Sequence, residues 1–221
     1  MASIASTIDH TLLKPDARAA DIERLCAEAI EHGFHSVCVN SSRVAFAAQL
    51  LARSKVKISA VTGFPLGAMS TEAKVHETRI AVRDGADEID TVIAVGQLRD
   101  GNTAYVLSDL KAVVSATEGR PVKVILETSL LTHEEKILGC KLAVEGGAAF
   151  VKTSTGFAGG GATIEDVQLF RETVGSACKV KASGGIRDAA TALAMLEAGA
   201  DRLGTSAGVA IVTGLAGQGG Y

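Results

Sequence analysis

The chain has no tryptophan, three prolines and an aromatic content of 4%. No apolar run approaches the roughly eighteen residues that a membrane span requires, so a membrane partner is not expected. The start, "MASIASTIDH", has neither a basic leader nor a long apolar core, which reads as a cytoplasmic protein. Positive charge is not in excess: 22 Lys and Arg against 25 Asp and Glu leave a formal charge of −3, with the basic residues scattered along the chain. Nucleic-acid binding leans on concentrated positive charge to meet phosphates, and it is not expected either. Cys26, Cys38, Cys140 and Cys178 stand far apart with no CxxC or Cys/His spacing, and the five histidines form no paired ligand motif. Neither a disulfide framework nor a zinc site is therefore expected.

What is present is glycine, at 24 of 221 residues, in a repeated context. Four phrases, "EHGF" around Gly33, "RDGA" around Gly85, "EGGA" around Gly147 and "EAGA" around Gly199, each follow an amphipathic segment and precede an apolar run. Glycine just past a helix can close the last carbonyls in the left-handed conformation, so each phrase reads as a helix stop followed by a strand. Eight strands can be counted: "SIASTIDH" near the start, then residues 36–40, 57–62, 88–93, 122–127, 150–154, 179–183 and 202–206. Helical patterns lie between them. Ile22, Leu25, Cys26, Ala29 and Ile30 share one face, as do Ile164, Val167, Phe170 and Val174, and Thr132 with Glu135 has the form of a capping box. Strands alternating with helices imply parallel pairing, either as an open doubly wound sheet or as a closed (βα)8 TIM barrel. Eight full units favour the barrel, as one domain over 1–221, with residues 214–221 ("GLAGQGGY") expected to form a flexible tail.

In such a barrel the reactive groups belong at the carboxyl ends of the strands. Asp9, Thr11, Cys38, Thr62, Asp90, Glu127, Lys152 and Lys181 fall there. Lys152 in "FVKTS" and Lys181 in "KVKAS" occupy equivalent places on successive strands. Desolvation and a second ammonium nearby both disfavour the charged form of an amine, leaving the neutral nitrogen that a carbonyl nucleophile must be. Lys179 shares the parity of Lys181 but lies deeper, and the pattern does not place it. Asp90, inside an apolar strand, requires a partner, and a lysine across the barrel would supply one. Gly184 and Gly185 after the seventh strand, with "GTSAG" after the eighth, would supply backbone amides and hydroxyls for a phosphate. Together these features describe a small phosphorylated carbonyl compound attacked by an amine.

The segments "IDHTLLKP", "VTGFPLG", "DEIDTVIAVG", "FVKTSTGF", "KASGGIR" and "RLGTSAG" resemble, in order and spacing and nearly end to end, those of the deoxyribose-phosphate aldolase family. The resemblance implies a class I aldolase on a (βα)8 barrel, working without metal or other cofactor. Its substrates would be a small phosphorylated sugar, 2-deoxy-D-ribose 5-phosphate, and the aldehydes acetaldehyde and glyceraldehyde 3-phosphate. It further implies Lys152 as the Schiff-base lysine, Lys181 as the neighbour that lowers its pKa and Asp90 as proton donor and acceptor. Phosphate contacts would fall on Gly156, Gly184, Gly185, Gly204 and Ser206. Asp9, Thr11 and Cys38 would be pocket or supporting positions, and Tyr221 could fold over the site. Many family members read "VINVG" where this chain reads "VIAVG", so Ala94 lacks an amide near Asp90, and an altered rate or acceptor preference is expected. Another Schiff-base barrel, transaldolase-like, stays open at this point, as does a phosphate-binding barrel without chemistry. Exposed helix faces are not separable from interface faces in one sequence, so monomer, homodimer and larger homo-oligomer all stay open.

Overall fold

The computed structural model describes residues 4–214, in which eight parallel strands close into a barrel in chain order, β8 returning to pair with β1. The strands are β1 Ile8–Leu12, β2 Ser36–Asn40, β3 Lys57–Thr62, β4 Glu88–Val92, β5 Val122–Ile125, β6 Phe150–Lys152, β7 Lys179–Ser183 and β8 Arg202–Thr205. Around them lie α1 Ala19–His32, α2 Val44–Leu51, α3 Thr71–Arg83, α4 Val95–Arg99, α5 Thr103–Ala116, α6 His133–Glu145, α7 Ile164–Val174, α8 Ala189–Glu197 and α9 Gly208–Thr213. Closure is carried by the register Ile8↔Leu203, Asp9↔Gly204 and His10↔Thr205, which excludes the open sheet. No helix among the described residues is long and apolar enough to cross a membrane.

Alternation along the strands divides the molecule into two interiors. Outward positions are apolar: Ile8, Val37, Val39, Ile58, Ala60, Ile89, Val124, Val151, Val180, Ala182 and Leu203 are buried against helix residues such as Leu25, Leu110 and Phe170. Inward positions carry the polar and charged groups: Asp9, Ser36, Ser59, Glu88, Asp90, Lys123, Lys152, Lys181 and Arg202 are all buried. The first interior supplies the hydrophobic stabilisation, and the second leads to the site.

The helix ends follow the local chemistry. Gly33 closes α1 in the left-handed conformation, and Gly85, Gly147 and Gly199 likewise have φ of 109°, 87° and 111°. Thr132 and Glu135 form the reciprocal cap of α6, with the Glu135 amide donating to the Thr132 hydroxyl and the Thr132 amide to the Glu135 carboxylate. The structure corrects three readings. Residues 4–7 of "SIASTIDH" form a 3-10 turn, in which the Thr7 hydroxyl donates to the Ile4 carbonyl, and the strand starts only where β2 and β8 offer partners. The fourth, fifth, sixth and eighth strands stop one or two residues early, so β6 ends at Lys152 itself and Thr153–Ser154 begin the loop. Ile30 is 49% exposed, because the buried stripe of α1, Ile22, Leu25, Cys26 and Ala29, ends one residue before it, and Ile164 is exposed at the start of α7.

Candidate active site

β4 presents Asp90 to the barrel interior, and β5, β6 and β7 present Lys123, Lys152 and Lys181 around it. The two Asp90 oxygens are shared among three ammonium groups. Lys152 and Lys181 each donate to Oδ2 at 2.8 Å, while Lys123 donates to Oδ1 at 2.7 Å and Ser59 to the same oxygen at 2.9 Å. Below this layer Lys181 also donates to Asp9, and Arg202 joins Asp9 to Glu88 at 2.8 and 3.1 Å. Glu88 pairs with Lys123 at 2.6 Å and with the half-exposed His35 at 3.2 Å. Counted over this connected cluster there are four cations, Lys123, Lys152, Lys181 and Arg202, and three carboxylates, Asp9, Glu88 and Asp90, so a fully ionised cluster carries 4 − 3 = +1. The cluster thus holds one more cationic group than carboxylate, and Lys152 is the lysine with Asp90 as its single carboxylate partner.

Burial and neighbouring charge act differently on the three lysines. Burial pushes the Lys152 ammonium below its ordinary value, and the charge of Lys181 adds to that, against the opposing pull of Asp90. Lys181 suffers the same burial, yet Asp9 and then Asp90 outweigh it and hold its amine above the ordinary value. Lys123 is also raised: burial opposes its charge, but Asp90, Asp9 and Glu88 prevail. Burial alone would push the Asp90 carboxyl up, and the ammonium groups of Lys123, Lys152 and Lys181 instead hold it well below the usual carboxylate range. Asp9 is brought to about 2 by Lys181, Lys123 and Arg202 against the same burial penalty. Desolvation is thus the larger influence on Lys152, and the neighbouring ammonium the smaller.

Lys123, Glu88 and Arg202 were missed from the sequence as members of this cluster. Parity was the available signal: Lys123 stands in the apolar strand "VKVI" as Lys152 does in "FVK", and Glu88 lies two residues before Asp90 on the same face. The unplaced Lys179 is exposed at the opposite end of β7, its ammonium 5.6 Å from the centre of the Phe150 ring.

The remaining candidates fall at the strand ends or just beyond them. Thr11 is buried on β1, where its hydroxyl donates to the Asp9 carbonyl at 2.9 Å. Cys38 is fully buried on β2, and burial pushes its thiol up against the opposing charges of Lys181 and Lys152. Thr62 is buried at the end of β3, with the Thr78 hydroxyl 3.4 Å away. Ala94 is buried at the start of α4 and makes no side-chain cap. Gly184 and Gly185 follow β7 with φ of 92° and 79°, and Gly156 lies in the β6–α7 loop at 86°. That loop reaches the glycine pair, since the Ala162 amide donates to the Gly184 carbonyl at 2.9 Å. Thr205, the last residue of β8, donates to the Ile186 carbonyl at 2.7 Å, which ties the strand end that precedes Ser206 to the segment after the glycine pair. Gly204 lies against the Lys181 stem: a Cβ there would meet Lys181 Cε at 3.0 Å and Ser183 Cβ at 2.9 Å. Tyr221 and residues 215–221 of the tail lie outside the described residues.

Among the described residues one group of metal-ligating side chains comes together, Asp9, His35 and Glu88. Arg202 bonds both carboxylates, Lys181 also bonds Asp9 and Lys123 also bonds Glu88, so a divalent ion would have to displace cations already in place.

The family model described as "DeoC/LacD family aldolase" matches residues 3–214. The deoxyribose-phosphate aldolase of Bdellovibrio bacteriovorus is 60% identical over 214 residues, covering 97% of either chain. Among solved structures, that of QR15, an aldolase, superposes with a TM-score of 0.93 at 42% identity, covering 97% of this chain and 96% of the other. The tetrameric deoxyribose phosphate aldolase of Aeropyrum pernix superposes with a TM-score of 0.89 at 33% identity, covering 95% and 89%.

Proposed function

This chain belongs to the DeoC/LacD family of aldolases, and from that premise we propose that Lys152 is the nucleophile of a class I reaction for which Asp90 and Lys181 manage the protons. The reaction is the reversible aldol cleavage of 2-deoxy-D-ribose 5-phosphate to acetaldehyde and D-glyceraldehyde 3-phosphate. One observation carries the assignment of Lys152: of three lysines around Asp90, Lys123 and Lys181 each pair with a second carboxylate and Lys152 does not, which favours its neutral amine.

In the cleavage direction the neutral Lys152 nitrogen adds to the aldehyde carbon C1 of the open-chain sugar. The carbinolamine then loses water to give an iminium ion. Asp90, whose Oδ2 lies 2.8 Å from the Lys152 nitrogen, stabilises that cation by its charge. The proton of the C3 hydroxyl leaves, C3 becomes a carbonyl and the C2–C3 bond breaks, with its electron pair flowing into the iminium to give a neutral enamine and glyceraldehyde 3-phosphate. Protonation of the enamine carbon restores the iminium, and water releases acetaldehyde and the free amine. Lys181, held protonated between Asp9 and Asp90, supplies and recovers protons through the Asp90 carboxylate. The phosphate, at the far end of the substrate, is assigned to the backbone groups of Gly156, Gly184, Gly185 and Gly204 and to Ser206, with Thr11 and Cys38 lining the pocket.

Borohydride reduction in the presence of acetaldehyde tests the reading. The adduct is expected on the peptide carrying Lys152 and absent from Lys152→Ala. Labelling of Lys123 or Lys181 instead would overturn it, and trapping only with a larger ketose would favour a transaldolase-like enzyme.

A further inference from the structure

Glu127 stands two residues beyond the end of β5 with φ 59° and ψ 66°. Glu118 is the other non-glycine residue with positive φ among the described residues; its side chain is exposed, whereas Glu127 is only 2% exposed. A left-handed L-residue crowds its Cβ against the backbone, and the conformation persists where the surroundings over-determine it. Here the strained turn aims a buried carboxylate at a single residue of the neighbouring loop. The Thr155 amide donates to both Glu127 oxygens, at 3.3 and 3.2 Å, and the Thr155 hydroxyl donates to Oε2. Thr155 Oγ1 in turn accepts the Phe157 amide at 3.0 Å, across the turn at Gly156. Among the described residues no ammonium or guanidinium pairs with Glu127, unlike every carboxylate of the barrel interior.

The choice of a carboxylate is itself informative. An ionised carboxylate only accepts, so the Thr155 hydroxyl must donate to it and keeps its lone pairs for the Phe157 amide. Farther along, the same loop is wedged between two walls. A Cβ on Gly160 would lie 2.5 Å from Ser129 Cβ, and one on Gly161 would lie 2.6 Å from the Gly184 carbonyl oxygen. The loop is therefore fastened to the end of β5 at one point and pressed against the glycines after β7 at another.

We propose that Glu127 is a positioning residue for phosphate recognition: it fastens Thr155 so that Gly156 is presented toward the same anion as Gly184 and Gly185. The proposal rests on the phosphate-site reading above. It separates Glu127 from the chemistry at Lys152, which ends β6 three residues before Thr155.

The test compares kcat/KM for 2-deoxyribose 5-phosphate with that for 2-deoxyribose, which lacks the anion, in wild type, Glu127→Gly, Glu127→Gln and Thr155→Val. Glycine keeps the left-handed turn without strain, so Glu127→Gly removes the carboxylate and not the backbone conformation, and Thr155→Val removes the other half of the contact. In both, the ratio of the two specificity constants is expected to fall about tenfold, with the change residing in KM for the phosphorylated substrate. Glu127→Gln is expected to lie between them and wild type, because its carbonyl oxygen still accepts from Thr155 but the charge is lost and the second acceptor oxygen is replaced by an NH2 donor. Simple destabilisation would not move the ratio, since both substrates report on the same folded molecules. An unchanged ratio, or equal losses in kcat for both substrates, overturns the proposal. If wild type itself does not prefer the phosphorylated sugar, the reading beneath falls and this proposal falls with it, whereas borohydride labelling of Lys152 still judges the chemistry separately.

Discussion

Two regions of this molecule bury lysine completely, and they treat it differently. Between α3 and α5, Lys74 has its own acid: it donates to Asp109 at 2.8 Å and to the Val92 carbonyl at 2.9 Å, while Thr71 donates to the other Asp109 oxygen. Inside the barrel, Lys152 shares Asp90 with Lys123 and Lys181, both of which have a second carboxylate. A buried ammonium with a dedicated partner fastens elements together. One that must share its partner becomes the amine on which the charge deficit falls, and a neutral amine can react. Burial of lysine is thus common to both regions, and the ratio of acids to amines distinguishes them.

The largest way to break the comparison is Lys152→Ala, which removes the nucleophile; turnover is expected to fall by roughly 10⁴-fold or more while the fold is retained. Lys181→Met should cost about 10²- to 10⁴-fold in kcat, the range of a lost acid–base group. It should also shift the pH profile. Activity requires neutral Lys152, so kcat/KM rises with pH as that ammonium loses its proton. Removing the cation of Lys181 and returning Asp90 more fully to Lys152 raises the Lys152 pKa and moves this acid limb to higher pH. A limb that stays put or moves down would remove the electrostatic role of Lys181. Lys74→Met, by contrast, strands the buried Asp109 carboxylate and should destabilise by about 3–5 kcal/mol in urea unfolding, with most of that recovered by adding Asp109→Leu. The variant should still be labelled by borohydride at Lys152. The smallest effect is expected from Ala94→Asn: a side chain able to accept an amide of α4 should stabilise by about 0.5–1 kcal/mol and change the rate or the aldehyde preference only a few-fold.

Much of this arrangement was legible from residue patterns. The helix-stop glycines, the alternation of strands with amphipathic segments and the capping box at Thr132 all depend on neighbours within a few residues. Lys152 and Lys181 stood out because a lysine at the end of an apolar strand is locally anomalous. Lys123 was as anomalous but sat within "VKVILE", which read simply as a strand, and its partners Glu88 and Asp9 are 35 and 114 residues away (123 − 88 and 123 − 9). Nothing in a local window tells one inward lysine from another. The first strand was misread for the opposite reason: residues 4–7 have strand-like composition but no neighbouring strand to pair with.

The order of residues alone determined the alternation of apolar and polar positions, the helix ends and the presence of amines at strand ends, since each is decided by steric and hydrogen-bonding preferences over a few residues. Only closure of the barrel decided which amine lacks a full counter-charge. That depends on how many carboxylates from distant strands converge on one desolvated point, and Coulomb energies in a dry interior are set by distance through space and not by separation along the chain.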